Sequence, residues 1–450
     1  MLALQPWSPA LVSSLAEYVP NACTVGRGYL WCQQSTLTSS GGSTVFMMKQ
    51  FRTSITLVLL ASGLTMSVVG GSATVATADG PGSGAAWVVS VGDSYISGEA
   101  GRWAGNSNAS SSYSDALGAT AYYDNASNTG ESIERCHRSK AAEIIIGGGV
   151  NSVNFACSGA KTTTDASGTY FKPGLDFYTD SSGRKGQALM LQEFATTHNV
   201  SMIQLSIGGN DFNFAAIVQQ CVQDFLLSPS WWPDYCNDDS SVTANFTTAN
   251  ITAKTNAIIA AITNVKTAMA NAGYTTAQYT IVTQTYPSPI PNGAGFRYGQ
   301  SGYGRQNTGG CGFWNNDANW ANGTALVKIN NAVKSAAAAS GSNVKVMDLS
   351  AAFNGRRLCE NTVGLLEEKG LTSWTAVGAV DVTEWIAQIR TVSTVFGPYY
   401  VQESLHPNYW GEKAIRNCVR QAYNNGTPRG GICTTGAGLN ANGEPNMTLN

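Results

Sequence analysis

The sequence predicts an α/β domain of three layers, with a parallel five-stranded sheet between helices and with disulfide-stapled loops inserted around it. Two observations carry that expectation. Short β-branched apolar runs recur at 87–91, 152–156, 201–207, 279–285 and 344–349. Strands buried on both faces of a parallel sheet read as continuous apolar runs of this kind. Helical patterns lie between the runs, and alternation of the two is the signature of a parallel α/β sheet.

In chain order, the first run, "WVVSV", stops abruptly at Gly92-Asp93-Ser94. The second ends in "NFACSGA" and the third in "QLSIGGNDF", so each of the first three strands delivers glycine and polar residues to its C-terminal end. The segment 249–272 is rich in Ala, Ile and Val and ends at Gly273. A second helix is expected over 325–339, stopping at Ser340-Gly341, and a third over 411–423, stopping at Asn424-Asn425-Gly426. Glycine and asparagine are the usual residues just past a helix end. The stretches 101–130, 212–245, 286–322 and 360–400 are irregular and carry many Trp, Tyr, Asn and Gly, as in "SPSWWPDYC" and "CGFWNNDANW". They are expected to be stapled surface loops, with cleft covers as the alternative. Residues 434–450 are expected to form a flexible tail.

Composition bounds the class. Of 450 residues only 12% are charged, and the net charge is −2. A typical soluble domain carries about a quarter charged residues. No basic run or stripe appears, which argues against a nucleic-acid partner. From Met47 the chain reads as a secretory signal: basic Lys49 and Arg52, an apolar segment from about Ile55 to Val69, then Ala76-Thr77-Ala78. Small residues at that distance suit a signal peptidase, and the apolar segment is short and diluted for a membrane span. The expected organisation is an upstream extension or mis-assigned start over 1–46, a signal peptide over 47–78 cleaved after Ala78, and one domain over 79–433. Extracellular localisation follows.

Eight cysteines remain beyond the signal: Cys136, Cys157, Cys221, Cys236, Cys311, Cys359, Cys418 and Cys433. An even number in an exported chain suggests disulfides, although eight cysteines allow 105 pairings. Sequential pairing is the simplest scheme, because it closes mostly short loops. No C-x-x-C pair occurs and the chain has 3 histidines, so a zinc site is not expected.

Ligands bind beyond the C-terminal ends of strands in open parallel sheets. Ser94 lies just past the first such end. Alone, it reads most simply as a turn former or helix N-cap. A nucleophilic serine needs a base, usually histidine. His198, in "ATTHNV", reads as the polar, solvated end of a helix, and His137, beside Cys136, as a residue held near the surface by a disulfide. His406, in "VQESLHPNYWG", follows the last strand and precedes a helix, which puts it beyond the same sheet edge as Ser94. Acyl transfer also needs donors aimed at the oxyanion. The Gly159 N–H and the Asn210 side-chain amide, each just past a strand, are the candidates.

Taken together, "GDSYISGE", "RCHRS" with "FACSGA", "SIGGNDF" and "HPNYWG" resemble the four blocks of the GDSL-type (SGNH) hydrolases, in particular their secreted, disulfide-containing actinobacterial lipase and esterase branch. The similarity spans roughly residues 86–424. It implies a flavodoxin-like three-layer fold, with Ser94 as nucleophile, His406 as base, and Ser94, Gly159 and Asn210 as oxyanion donors. It further implies hydrolysis of carboxylic esters without a cofactor or metal. The last block departs from the family pattern Asp-x-x-His by placing Glu403 three residues before the histidine. Glu403 is expected to orient His406, with a backbone carbonyl as the alternative. Asp93 is expected to be structural. An acyl lipid or an acetylated glycan would be the substrate, and a deacetylase of polysaccharide or a non-catalytic binding protein are the other readings. No obligate protein partner is indicated, and a monomer is expected.

Overall fold

The computed structural model describes residues 79–168, 170–391 and 397–450, and, as backbone, a separate antiparallel hairpin that pairs Cys23–Gly26 with Tyr29–Cys32. The expected signal peptide at 47–78 lies outside the described residues. Among the described residues no helix is long and apolar enough to cross a membrane.

The main sheet has seven strands: β1 Ala86–Gly92, β2 Asn151–Asn154, β3 Asn199–Ser206, β4 Thr280–Gln284, β5 Val344–Asp348, β6 Gly431–Leu439 and β7 Pro445–Leu449. Their order is β2-β1-β3-β4-β5-β6-β7. All neighbours run parallel except β6 and β7. The first five strands are those expected from the apolar runs, with ends shifted by one or two residues. In β1, Val88 through Gly92 are all buried, and β3 and β4 are similarly covered along their C-terminal halves. Successive side chains of a strand point to opposite faces, so the centre of the sheet is covered on both. A strand order of 2-1-3-4-5 reverses direction between β1 and β3, and that switch point opens a crevice at the strand ends.

The expectation of five strands needs correction, as does that of a flexible tail. Residues 431–449 extend the sheet by two strands. The sequence "GICTTGAGL" hides this, because Gly431, Gly436 and Gly438 break any β pattern. Contacts from outside hold the hairpin in place. The Cys418–Cys433 disulfide ties it to the preceding helix, Asn417 Nδ2 donates to the Pro445 carbonyl at 2.8 Å, and Arg420 pairs with the buried Glu444.

The helices used below are α1 Ser94–Ser97, α2 Gln187–Ala195, α3 Phe214–Leu227, α4 Thr248–Asn271, α5 Leu326–Ala339 and α6 Tyr409–Tyr423. Helix α4 packs against both α2 and α5. Its buried residues Ile258, Ala261, Ile262, Val265, Ala268 and Met269 recur at three- and four-residue steps, which places them on one face. The four disulfides join Cys136–Cys157, Cys221–Cys236, Cys311–Cys359 and Cys418–Cys433. This is the sequential scheme.

Candidate active site

The end of β1 is shaped by one glycine. Gly92 has φ +141°, and a Cβ there would stand 1.9 Å from the Ser206 carbonyl oxygen. Only glycine lets β1 approach β3 so closely. The Gln187 side chain clasps the same peptide, accepting from the Gly92 N–H at 2.6 Å and donating to its carbonyl at 2.8 Å. Asp93 then caps α1 by accepting the Tyr95 N–H at 3.1 Å. Its carboxyl also accepts from Ser206 Oγ at 3.3 Å and from the Tyr286 hydroxyl. Burial raises this carboxyl to about 7, against the pull of those donors. Asp93 is thus a structural cap, as expected, and it fixes Ser94 at the first helical position.

Ser94 meets His406 directly: Oγ lies 2.7 Å from Nε2. The two residues are 312 positions apart, so the fold itself makes this contact. Several bonds hold the histidine loop. Leu405 N–H donates to the Ala387 carbonyl and Ala387 N–H to the His406 carbonyl, at 3.1 and 2.9 Å. Asn408 caps α6 by accepting from the N–H groups of Trp410 and Gly411. Leu405 itself sits at φ +64°, a region costly for a branched side chain. The Tyr95 hydroxyl supports the turn by donating to the Leu405 carbonyl at 2.9 Å.

The other face of the imidazole decides the role of Glu403. His406 Nδ1 lies 2.9 Å from the Ser404 carbonyl oxygen. A carbonyl can only accept, so this contact places the proton on Nδ1 and leaves the lone pair of Nε2 facing Ser94. Glu403 makes no bond to the ring. Its Oε1 accepts from the Tyr122 hydroxyl at 2.6 Å, and its Oε2 accepts from Trp103 Nε1 at 2.8 Å and Tyr400 N–H at 3.0 Å. The expectation that Glu403 orients His406 is corrected by this geometry. The longer side chain reaches past the ring into a ready-made set of donors, and burial raises its carboxyl to about 7. Burial also holds His406 below its ordinary value, opposed mainly by the negative charge of Glu99. Burial thus favours the neutral ring, the form whose Nε2 can accept a proton.

The expected oxyanion donors converge on the same strand ends. Cys157 N–H donates to the Gly92 carbonyl at 3.0 Å, which ties the loop carrying Gly159 to the end of β1. Gly159 has φ +84°. The backbone N–H groups of Ser94 and Gly159 donate to no acceptor among the described residues. Asn210 uses one amide hydrogen on the Ala160 carbonyl at 2.9 Å, which joins its loop to that of Gly159; the other hydrogen remains to be given. Ser94 and Asn210 also line one small cavity, whose other walls include Phe214, Pro287, Pro289, Leu326 and Ile329.

The remaining histidines lie elsewhere. His137 is buried, not near the surface: it pairs with Glu99 at 2.7 Å and stacks on Tyr122. His198 is half-buried and stacks on Phe194 at 3.8 Å between ring centroids. Sequence reasoning missed Tyr95, Trp103 and Tyr122 as supports of the histidine loop, because aromatic residues in loops give no positional signal. Among the described residues no group of three or more His, Cys, Asp or Glu could hold a metal ion.

No protein-family model and no curated protein matches the chain. Among solved structures it is similar to an extracellular lipase from Streptomyces rimosus, with TM-score 0.38 and 19% identity over 73% of this chain and 95% of that one. It is similar to phospholipase A1 from Streptomyces albidoflavus, with TM-score 0.39 and 18% identity over 74% and 99% of the two chains. A carbohydrate acetylesterase from Sinorhizobium meliloti follows, with TM-score 0.25 and 12% identity over 58% and 83%. At such scores the chemistry of the site rests on its own geometry.

Proposed function

We propose that the chain is a secreted serine esterase or lipase of the GDSL type, working through a Ser94–His406 dyad on a flavodoxin-like three-layer fold. The observation that carries this reading is the 2.7 Å contact from Ser94 Oγ to a His406 ring whose other nitrogen faces a carbonyl. His406 Nε2 takes the hydroxyl proton as Ser94 attacks the ester carbonyl. The oxyanion is held by the N–H groups of Ser94 and Gly159 and by the Asn210 amide, donors with hydrogens to spare. His406 then gives the proton to the leaving alcohol. Water attacks the acyl-serine by the same route, so its OH ends on the acid and Ser94 regains its proton.

The apolar walls beside Ser94 bound a cavity of about 20 Å³, which suits a short acyl group. Four buried disulfides suit an oxidising compartment. Hydrolysis of a short-chain nitrophenyl ester by the wild type, and its loss in a folded Ser94→Ala variant, tests the reading. Unchanged hydrolysis in that variant would contradict it.

A further inference from the structure

Beyond the Gly159 loop lies a second, much larger cleft of about 940 Å³. Gly159, Ser158 and Gln402 form its wall on the side of the active site. Its charge is unlike that of the rest of the molecule. Arg135, Arg138, Lys172, Arg184 and Lys185 line it against the single carboxylate of Glu134, in a chain with 26 Lys and Arg in 450 residues.

Three of these cations are spoken for. Arg138 pairs with Asp124, Arg184 with Asp180 and Lys185 with Glu193. The other two are not. The Arg135 guanidinium has no hydrogen bond or ion pair among the described residues, although the Arg135 carbonyl accepts from Lys172 Nζ. Lys172 is 7% exposed, and that carbonyl is the one hydrogen-bond acceptor of its ammonium among the described residues. The carboxylates near enough to act on it include Glu99 and Glu131, which flank His137 at 2.7 and 3.5 Å. A buried charge without a carboxylate partner is costly, and burial lowers this ammonium to about 8. The Lys172 stem runs beneath Gly159: a Cβ on that glycine would touch its Cε at 3.6 Å. An anion bound there would sit beside the reacting ester.

We propose that this cleft receives the alcohol part of the ester, and that Lys172 and Arg135 bind a phosphate carried on that alcohol. The inference rests on the esterase reading, and deepens it by assigning the two sides of the scissile bond. The carbonyl end of a short acyl group is placed at the small apolar cavity of about 20 Å³ lined by Phe214, Leu326 and Ile329, and the alcohol leaves through the cationic cleft. A phosphate has oxygens enough to take a guanidinium and an ammonium together, which makes it a better match than a carboxylate for two unpaired cations.

The test compares 1-butyrylglycerol, 1-butyrylglycerol 3-phosphate and the hemisuccinate of 1-butyrylglycerol at low ionic strength, with the full chain. We expect kcat/KM for butyryl ester cleavage to be about tenfold or more higher for the phosphate than for the neutral ester, the scale of a charge-assisted contact. That ratio should fall toward one in Lys172→Met, and by about threefold or more in the exposed Arg135→Ala, which keeps the test sound if the buried variant fails to fold. Inorganic phosphate should inhibit the phosphate ester competitively. A ratio near one in the wild type, or a ratio unmoved by Arg135→Ala, overturns the inference. An equal gain for the hemisuccinate overturns the choice of phosphate. Failure to cleave any of the three would instead remove the esterase reading, and this inference with it.

Discussion

Replacing Glu403 by glutamine separates two ways of running the same chemistry. If a carboxylate oriented and charge-balanced His406, its loss would resemble the aspartate-to-asparagine change of a serine-protease triad, which costs about 10⁴ in kcat. The structure predicts a small effect. Both oxygens of Glu403 face Trp103, Tyr122 and Tyr400, and the Ser404 carbonyl serves the histidine. A glutamine can turn its oxygen to the Trp103 and Tyr400 N–H groups and give its amide hydrogens to the Tyr122 hydroxyl. The two N–H groups are then still satisfied, but the buried Tyr122 O–H gives up its acceptor. The cost is that unpaired hydroxyl together with the change from charged to neutral hydrogen bonds, about 1–3 kcal/mol of stability. The effect on kcat should stay under about tenfold, or about 1.4 kcal/mol. Asn210→Ala is the comparison, since removing one oxyanion donor costs about 10²–10³. The assay is kcat for both variants on one soluble ester, with melting curves alongside. A loss in kcat for Glu403→Gln equal to or larger than that for Asn210→Ala, in a variant still folded at the assay temperature, would refute the dyad.

The buried His406 must be neutral to accept the serine proton, and burial depresses its pKa. The acid limb of kcat/KM should therefore fall below pH 6.5, and a midpoint at or above 7 would contradict the depression. Thiol titration of the denatured chain from residue 79 onward should find no free cysteine, whereas two or more thiols would break the disulfide scheme. Glu143 and Glu412 are both fully buried, and each leaves one carboxyl oxygen without a partner. Burial raises both well above the ordinary carboxylate value, and the charges of Asp93 at Glu143 and of Glu143 at Glu412 add to the rise. Such groups favour the fold in their protonated form, so the stability they lend is complete below the unfolded value of about 4.5 and is lost as pH rises through the folded value. The melting temperature should fall from pH 5 to pH 9, and less steeply in Glu143→Gln; equal slopes would rule out this source.

The parallel core of the fold was legible because β1, β3, β4 and β5 are short runs rich in apolar residues with a polar stop, and β2, "NSVN", lies next to the apolar "FA" that follows it. The stops themselves marked Ser94, Gly159 and Asn210. What stayed hidden depends on contacts distant in sequence. Strands β6 and β7 carry glycines and threonines, and owe their pairing to α6 and the Cys418–Cys433 bridge. Glu403 occupies the position of an orienting acid in the sequence, yet its rotamer is set by Trp103 and Tyr122, 300 and 281 residues away. No local pattern carries that information. His137 was misplaced for a similar reason: its partner Glu99 belongs to the segment after the nucleophile. The cationic cleft gathers Arg135, Lys172 and Arg184 from separate loops, and no run of charge announces it.

The proposed nucleophile is Ser94, activated by His406 at 2.7 Å. It is tested most directly by treating the protein with a fluorophosphonate and locating the adduct by mass spectrometry of its peptides. One phosphonyl group per chain is expected, on Ser94, with labelling lost in Ser94→Ala and slowed by orders of magnitude in His406→Ala. Stoichiometric labelling of another residue, or labelling of folded Ser94→Ala at the wild-type rate, would contradict it.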